Sequence, residues 1–141
     1  MPRRAREAKP GDGRADDRRV ARDERHAARA LGARAERIAR ERLEGAGYEI
    51  VEANARVGRA EIDLIARRGA LLVFCEVRSR TGTSGPHPLE TIDAAKQHRL
   101  RRAALAWRLA HGRPAEAVRF DAIAITFEGA EAQIDHVEGA F

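Results

Sequence analysis

The sequence predicts a mixed α/β domain, a sheet core flanked by helices in the order αβββαββ. Three observations carry that expectation. Apolar residues recur at helical spacing over 28–46 and again over 92–110. Two apolar runs broken by acids, 60–66 and 70–79, flank Arg68-Gly69, a turn signal for a tight hairpin. Glycines then punctuate the periodic segments at Gly47, Gly112 and Gly129.

Residues 1–27 read as a disordered basic tail. They mix Pro, Gly, Arg and Asp without period, and after Met1 no large apolar residue appears before Val20. Residues 1–37 hold 12 Lys+Arg against 7 Asp+Glu, while 38–141 hold 15 of each, so the net charge of +5 comes wholly from this end. Such a segment is either an arm that tracks phosphates or a solvated tail. The domain proper spans 28–141. Its first helix carries Leu31, Ala35, Ile38, Ala39 and Leu43 on one side, and Gly47 stops it. Residues 48–55 alternate loosely as a first strand. After the hairpin, 81–88 is a turn-rich loop leading away from the sheet. The second helix presents Ile92, Ala95, Leu100, Ala103, Ala104 and Trp107 near one face, and 118–127 and 133–137 close the domain as strands.

The hairpin holds the candidate chemistry. With Arg68-Gly69 as a two-residue loop, Arg67 pairs with Ala70 and Glu61 falls opposite Glu76. Strand alternation puts Glu61, Asp63 and Ile65 on one side. Like charges set opposite each other on a sheet destabilise it, so three converging carboxylates call for a cation. A hard divalent ion with oxygen ligands, Mg²⁺ or in its place Mn²⁺, suits them. The alternative is an acidic edge facing solvent. The apolar flanks Ile62, Leu64, Ile65, Val73, Phe74 and Val77 argue against an open surface.

Other classes are excluded by composition. One cysteine, Cys75, permits no intramolecular disulfide and fits a reducing, cytoplasmic setting, and its place in an apolar run makes it a core residue. There is no apolar leader and no apolar run near 18 residues, which argues against secretion and a membrane. The five histidines lack metal-ligand spacing, which argues against zinc.

The ordered motifs Gly32…Glu36…Ala39…Leu43…Gly47-Tyr48, Asn54-Ala55-Arg56, Glu61-Ile62-Asp63-Leu64-Ile65-Ala66, Phe74-Cys75-Glu76-Val77-Arg78-Ser79-Arg80, Lys96…Arg99-Leu100 and Arg119-Phe120-Asp121 resemble the YraN family of bacterial proteins. So does the closing His136-Val137-Glu138-Gly139-Ala140-Phe141. That family is similar to the restriction-endonuclease-like nucleases, with an αβββαβ core, and closest to Holliday-junction resolvases. The resemblance implies Mg²⁺-dependent hydrolysis of phosphodiesters in branched or flapped DNA. It implies Asp63 and Glu76 as metal ligands, with Glu36 from the first helix as an extra acid beside Glu61. It expects a lysine where the chain has Arg78. Arg78 can clamp a phosphate but cannot serve as a base, and Lys96 is the candidate for a displaced amine. Arg56, Arg59, Arg80 and Arg99 are the candidate nucleic-acid contacts. A homodimer stays open. The second reading is a nucleic-acid-binding module with weakened or lost catalysis, Arg78 being its mark.

Overall fold

The computed structural model describes residues 13–141. Helix α1 spans Gly13–Gly45, followed by strands β1 (Glu49–Val57), β2 (Ala60–Arg68) and β3 (Leu71–Thr81). A single 3₁₀ turn (Pro88–Thr91), helix α2 (Ala94–His111) and strands β4 (Ala117–Glu128) and β5 (Glu131–Val137) complete the chain. The expected αβββαββ order is present, its first six elements being the αβββαβ core that the resemblance implies. Residues 13–30 and 31–141 form separate compact units, the described part of the first being helical throughout. Residues 13–27 were expected within the disordered tail, whereas α1 begins at Gly13. Their three alanines and five arginines carry strong helix propensity, and Arg19 pairs with Asp16 one turn away. Residues 1–12 of that expected tail lie outside the described residues.

Helix α1 ends as Gly47 requires. Gly47 sits at φ 88°, its N–H donates to the Glu44 carbonyl, and the Tyr48 N–H donates to the Leu43 carbonyl. These are the two bonds of a Schellman motif, and the buried pair Leu43 and Tyr48 supplies its apolar contact. Arg68 locks the hairpin onto this corner. Its Nη1 donates to the Ala46 carbonyl at 2.9 Å and its guanidinium lies over the Tyr48 ring.

The five strands form one sheet in sequence order, antiparallel except for the parallel pair β3–β4. Residues Ala35, Ala39 and Leu43 of α1 pack with Leu64, Ala66, Val73, Cys75, Ile123 and Ile125 on one face. Residues Ala103, Ala104 and Trp107 of α2 pack with Ile62, Ile65, Leu72 and Phe74 on the other. Central strand β3 is therefore covered on both sides, which is why its sequence is apolar almost without alternation. The loop after β3 does not lead away from the sheet as expected. Arg80 donates to the Pro86 carbonyl, Gly82 N–H donates to the Phe127 carbonyl, and His87 Nε2 pairs with Asp135 at 2.9 Å.

The β2–β3 register differs from the expected one. Arg68 pairs with Leu71 and Leu64 with Cys75, so the two loop residues are Gly69 and Ala70. Gly69, at φ 59°, takes the first loop position rather than the second. The shift brings Asp63, not Glu61, alongside Glu76.

Beside the β4–β5 ladder, fully buried Asp121 accepts two bonds from Arg119, one from His136 Nε2 at 2.8 Å and one from the Gly139 N–H. Burial alone would raise its carboxyl, but these donors outweigh burial and hold it below the ordinary range. Its contribution to stability is present above pH ~4 and is lost as acid protonates it. Replacing it with Ala takes the shared acceptor from half-buried Arg119 and from His136 and should cost about 2–3 kcal/mol. Urea unfolding at pH 7 measures this; a loss under 1 kcal/mol would mean the network contributes little.

Candidate metal centre

Three elements meet at Asp63. Glu36 lies on α1 next to the buried stripe residue Ala35, at the margin of the α1 core. Glu61 and Asp63 come from β2, and Glu76 from β3. One carboxylate oxygen from each of Glu36, Glu61 and Asp63 lies within 4.8 Å of the other two. Asp63 Oδ2 also accepts the Val77 N–H at 2.8 Å, which ties it to β3 beside Glu76.

This convergence depends on a break in the pleat. Ala53 pairs with Leu64 and Ala55 with Ile62. In a regular ladder both pairs face the same way. Here Ala53 and Leu64 join the α1 core while Ala55 and Ile62 join the α2 core. The expectation that Glu61, Asp63 and Ile65 share a side is therefore overturned. Ile65 packs on the α2 side, and Glu61, next to Ile62, turns to the α1 side where Glu36 waits. The break lies at Asn54, whose φ is 52°. An asparagine between alanines in a strand was the sequence signal, since Asn is rare in strands and tolerates the left-handed region.

Glu76 is not one of the trio but lies within hydrogen-bond reach of Asp63. It is only 5 % exposed, and its Oε1 lies 3.3 Å from both Lys96 Nζ and Arg78 Nε. Lys96 is held in the first turn of α2, where its backbone N–H is capped by Asp93 at 2.8 Å. Among the described residues, Glu76 Oε2 is buried without a hydrogen-bond partner. A buried anionic oxygen left this way is costly.

The electrostatics follow from the packing. Burial, then the charge of Glu76, pushes the Asp63 carboxyl up to about 7, against the pull of the Val77 N–H and Lys96. Burial also raises Glu36, with Asp63 and Glu61 adding repulsion and the Asn54 amide opposing it. Carboxylates short of positive charge, all oxygen donors and one with an orphaned oxygen, fit a hard divalent cation. Glu36, Glu61 and Asp63 are the residues that could hold it, with Glu76 next to Asp63.

A groove of about 1020 Å³ opens beside the acids, between the β1–β2 turn and α2. Glu61 and Asp63 line it together with Arg59, Lys96, Arg99 and Arg102. Arg59 and Arg99 are among the expected contacts, and Arg102 joins them. Arg56 pairs with Glu61 across the ladder, and Arg80 is engaged by Thr126 and Pro86. Neither lines the groove. Among the described residues, no helix is long and apolar enough to cross a membrane.

The model of the uncharacterised protein family UPF0102 matches residues 35–125. The chain belongs to the UPF0102 family. It is 41 % identical over 131 residues to a UPF0102 protein of Anaeromyxobacter sp., covering 93 % of this chain and 91 % of the relative. It is 45 % identical to one from Sorangium cellulosum, covering 82 % and 83 %. It is 44 % identical to one from Geobacter metallireducens, covering 80 % and 93 %. The UPF0102 match spans Glu36, Glu61, Asp63, Glu76 and Lys96, so every side chain of this centre lies within the family's common region.

Asp63 makes the centre visible in stability. Its folded-state carboxyl titrates near 7 against an ordinary 3.8, so between those values the folded chain holds a proton that the unfolded chain has lost. Stability is then full below pH ~4 and falls as pH rises toward 7. Asp63→Asn cannot titrate. Without divalent metal it should raise Tm by about 5 °C at pH 8 and leave it little changed at pH 4. Thermal melts at both pH values test this; equal shifts at both would remove the strain assigned to Asp63.

Proposed function

We propose that this protein is a Mg²⁺-dependent endonuclease that hydrolyses DNA phosphodiesters. One observation carries the reading: three carboxylates close enough to share an ion stand at the end of a groove lined by four cationic side chains. Acids that hold a metal next to cations that hold phosphates are the two halves of a phosphodiester-cleaving site.

A bound Mg²⁺ would supply Lewis-acid stabilisation of the phosphate and a water of lowered pKa. The chain's own residues do the rest. Glu36, Glu61 and Asp63 hold the charge that fixes the ion, and the Val77 N–H keeps Asp63 from turning away. Arg59, Arg99 and Arg102 take the phosphates on either side of the scissile one. Lys96 reaches Glu76 from α2 and so offers an amine where the strand itself offers Arg78. Lys96 donates to the attacked phosphate oxygen as charge builds there, and Arg78 clamps the same phosphate from the β3 side. Branched or flapped DNA is the substrate we assign, on the resemblance to junction resolvases. The position of Arg78 favours one rival, a DNA-binding module with lost catalysis.

A cleavage assay with Mg²⁺ or Mn²⁺ on branched, flapped, single-stranded and duplex DNA decides between them. The endonuclease reading expects metal-dependent cleavage of the branched or flapped substrates, abolished in Asp63→Ala. Lys96→Ala should lower the rate by about 10²-fold, the scale for losing one transition-state donor, and Arg78→Lys should retain it. Binding without cleavage by the wild type, with cleavage by Arg78→Lys, would favour the binding module.

A further inference from the structure

We propose that Asn54 is a positioning residue of the metal centre, building it in two ways, through its backbone and through its side chain. The inference rests on the reading of Glu36, Glu61 and Asp63 as metal ligands.

The backbone part follows from the two cores. Were β2 to alternate regularly from Leu64, which faces α1, then Ile62 would face α1 too, and Glu61 and Asp63 would both face α2. Glu36, on α1, would lie across the sheet from them. The reversal of facing between the pairs Ala53–Leu64 and Ala55–Ile62 prevents this. Asn54, with φ at 52°, is the residue of β1 that lies within the reversal and carries a backbone most side chains avoid. The reversal carries Glu61 to the α1 side and leaves Asp63 at the crossing point, within reach of both Glu36 and β3.

The side-chain part is a single bond. Asn54 Nδ2 donates to Glu36 Oε2 at 3.2 Å, fixing a glutamate that Asp63 and Glu61 both repel. Outer contacts of this kind orient the ligands of a metal and tune its affinity. Few residues can do both tasks. Glycine accepts the backbone but has no donor. Aspartate tolerates the left-handed region but would repel Glu36. Alanine takes the conformation only at a cost, as Ala115 does at φ 62°, and has no donor.

Two variants separate the two parts. Full-length wild type, Asn54→Gly and Asn54→Ala are each melted without metal and titrated with Mn²⁺ by calorimetry. Asn54→Gly should keep its Tm within about 3 °C of wild type, because glycine adopts the backbone freely, yet bind Mn²⁺ about tenfold more weakly. Asn54→Ala should lose both, or fail to fold. Wild-type affinity in Asn54→Gly would overturn the side-chain role, since a purely structural residue is rescued by glycine in both measurements. A Tm loss in Asn54→Gly as large as in Asn54→Ala would overturn the backbone role. Absence of Mn²⁺ binding by the wild type would instead overturn the metal centre, and this inference with it.

Discussion

Mutual repulsion among four carboxylates is the constraint on which the rest of this structure depends. Glu36, Glu61, Asp63 and Glu76 are drawn together from one helix and two strands, against a Coulomb cost that grows as water is excluded. The fold meets that cost with particular devices. Lys96 and Arg78 neutralise one oxygen of Glu76, the Val77 N–H holds Asp63, and the Asn54 amide holds Glu36. The devices are incomplete, for Asp63 is pushed up to about 7 and Glu76 keeps a buried oxygen without a donor. Stability spent in this way at one place is what a functional site looks like.

The remaining architecture serves to hold that place rigid. The Schellman turn at Gly47 fixes where α1 ends, and so where Glu36 stands along β2. Arg68 pins the hairpin to the same corner through the Ala46 carbonyl and the Tyr48 ring. On the opposite face, Trp107 donates to Glu52 at 2.7 Å and stands edge-on to Phe74, which seats α2 and hence Lys96. A groove built between a hairpin turn and a helix first turn is thereby set on packed elements and not on loops.

Much of this was legible in the sequence, and what was not has physical reasons. Helical spacing of Ala35, Ala39 and Leu43, the stop at Gly47 and the apolar runs around Asp63 and Glu76 each follow local rules, and local rules survive folding. The hairpin register did not, because Arg68-Gly69 and Gly69-Ala70 both satisfy the glycine requirement of a two-residue loop, and the choice moves every partner by two. The facing of Glu61 did not, because alternation assumes an unbroken pleat and Asn54 breaks it. The helical residues 13–27 did not, because a segment poor in large apolar residues can still form helix on the propensity of its alanines and arginines. The proximity of Lys96 to Glu76 joins residues 20 apart through the cap at Asp93, a tertiary fact that no spacing rule contains.

The central claim is that the acids gathered around Asp63 hold a divalent cation. Crystals soaked in Mn²⁺, with anomalous diffraction collected at the manganese edge, test it most directly. The account predicts a single strong anomalous peak bounded by Glu36, Glu61 and Asp63, and its loss in Asp63→Ala. Clear density for the three side chains with no peak between them would contradict it.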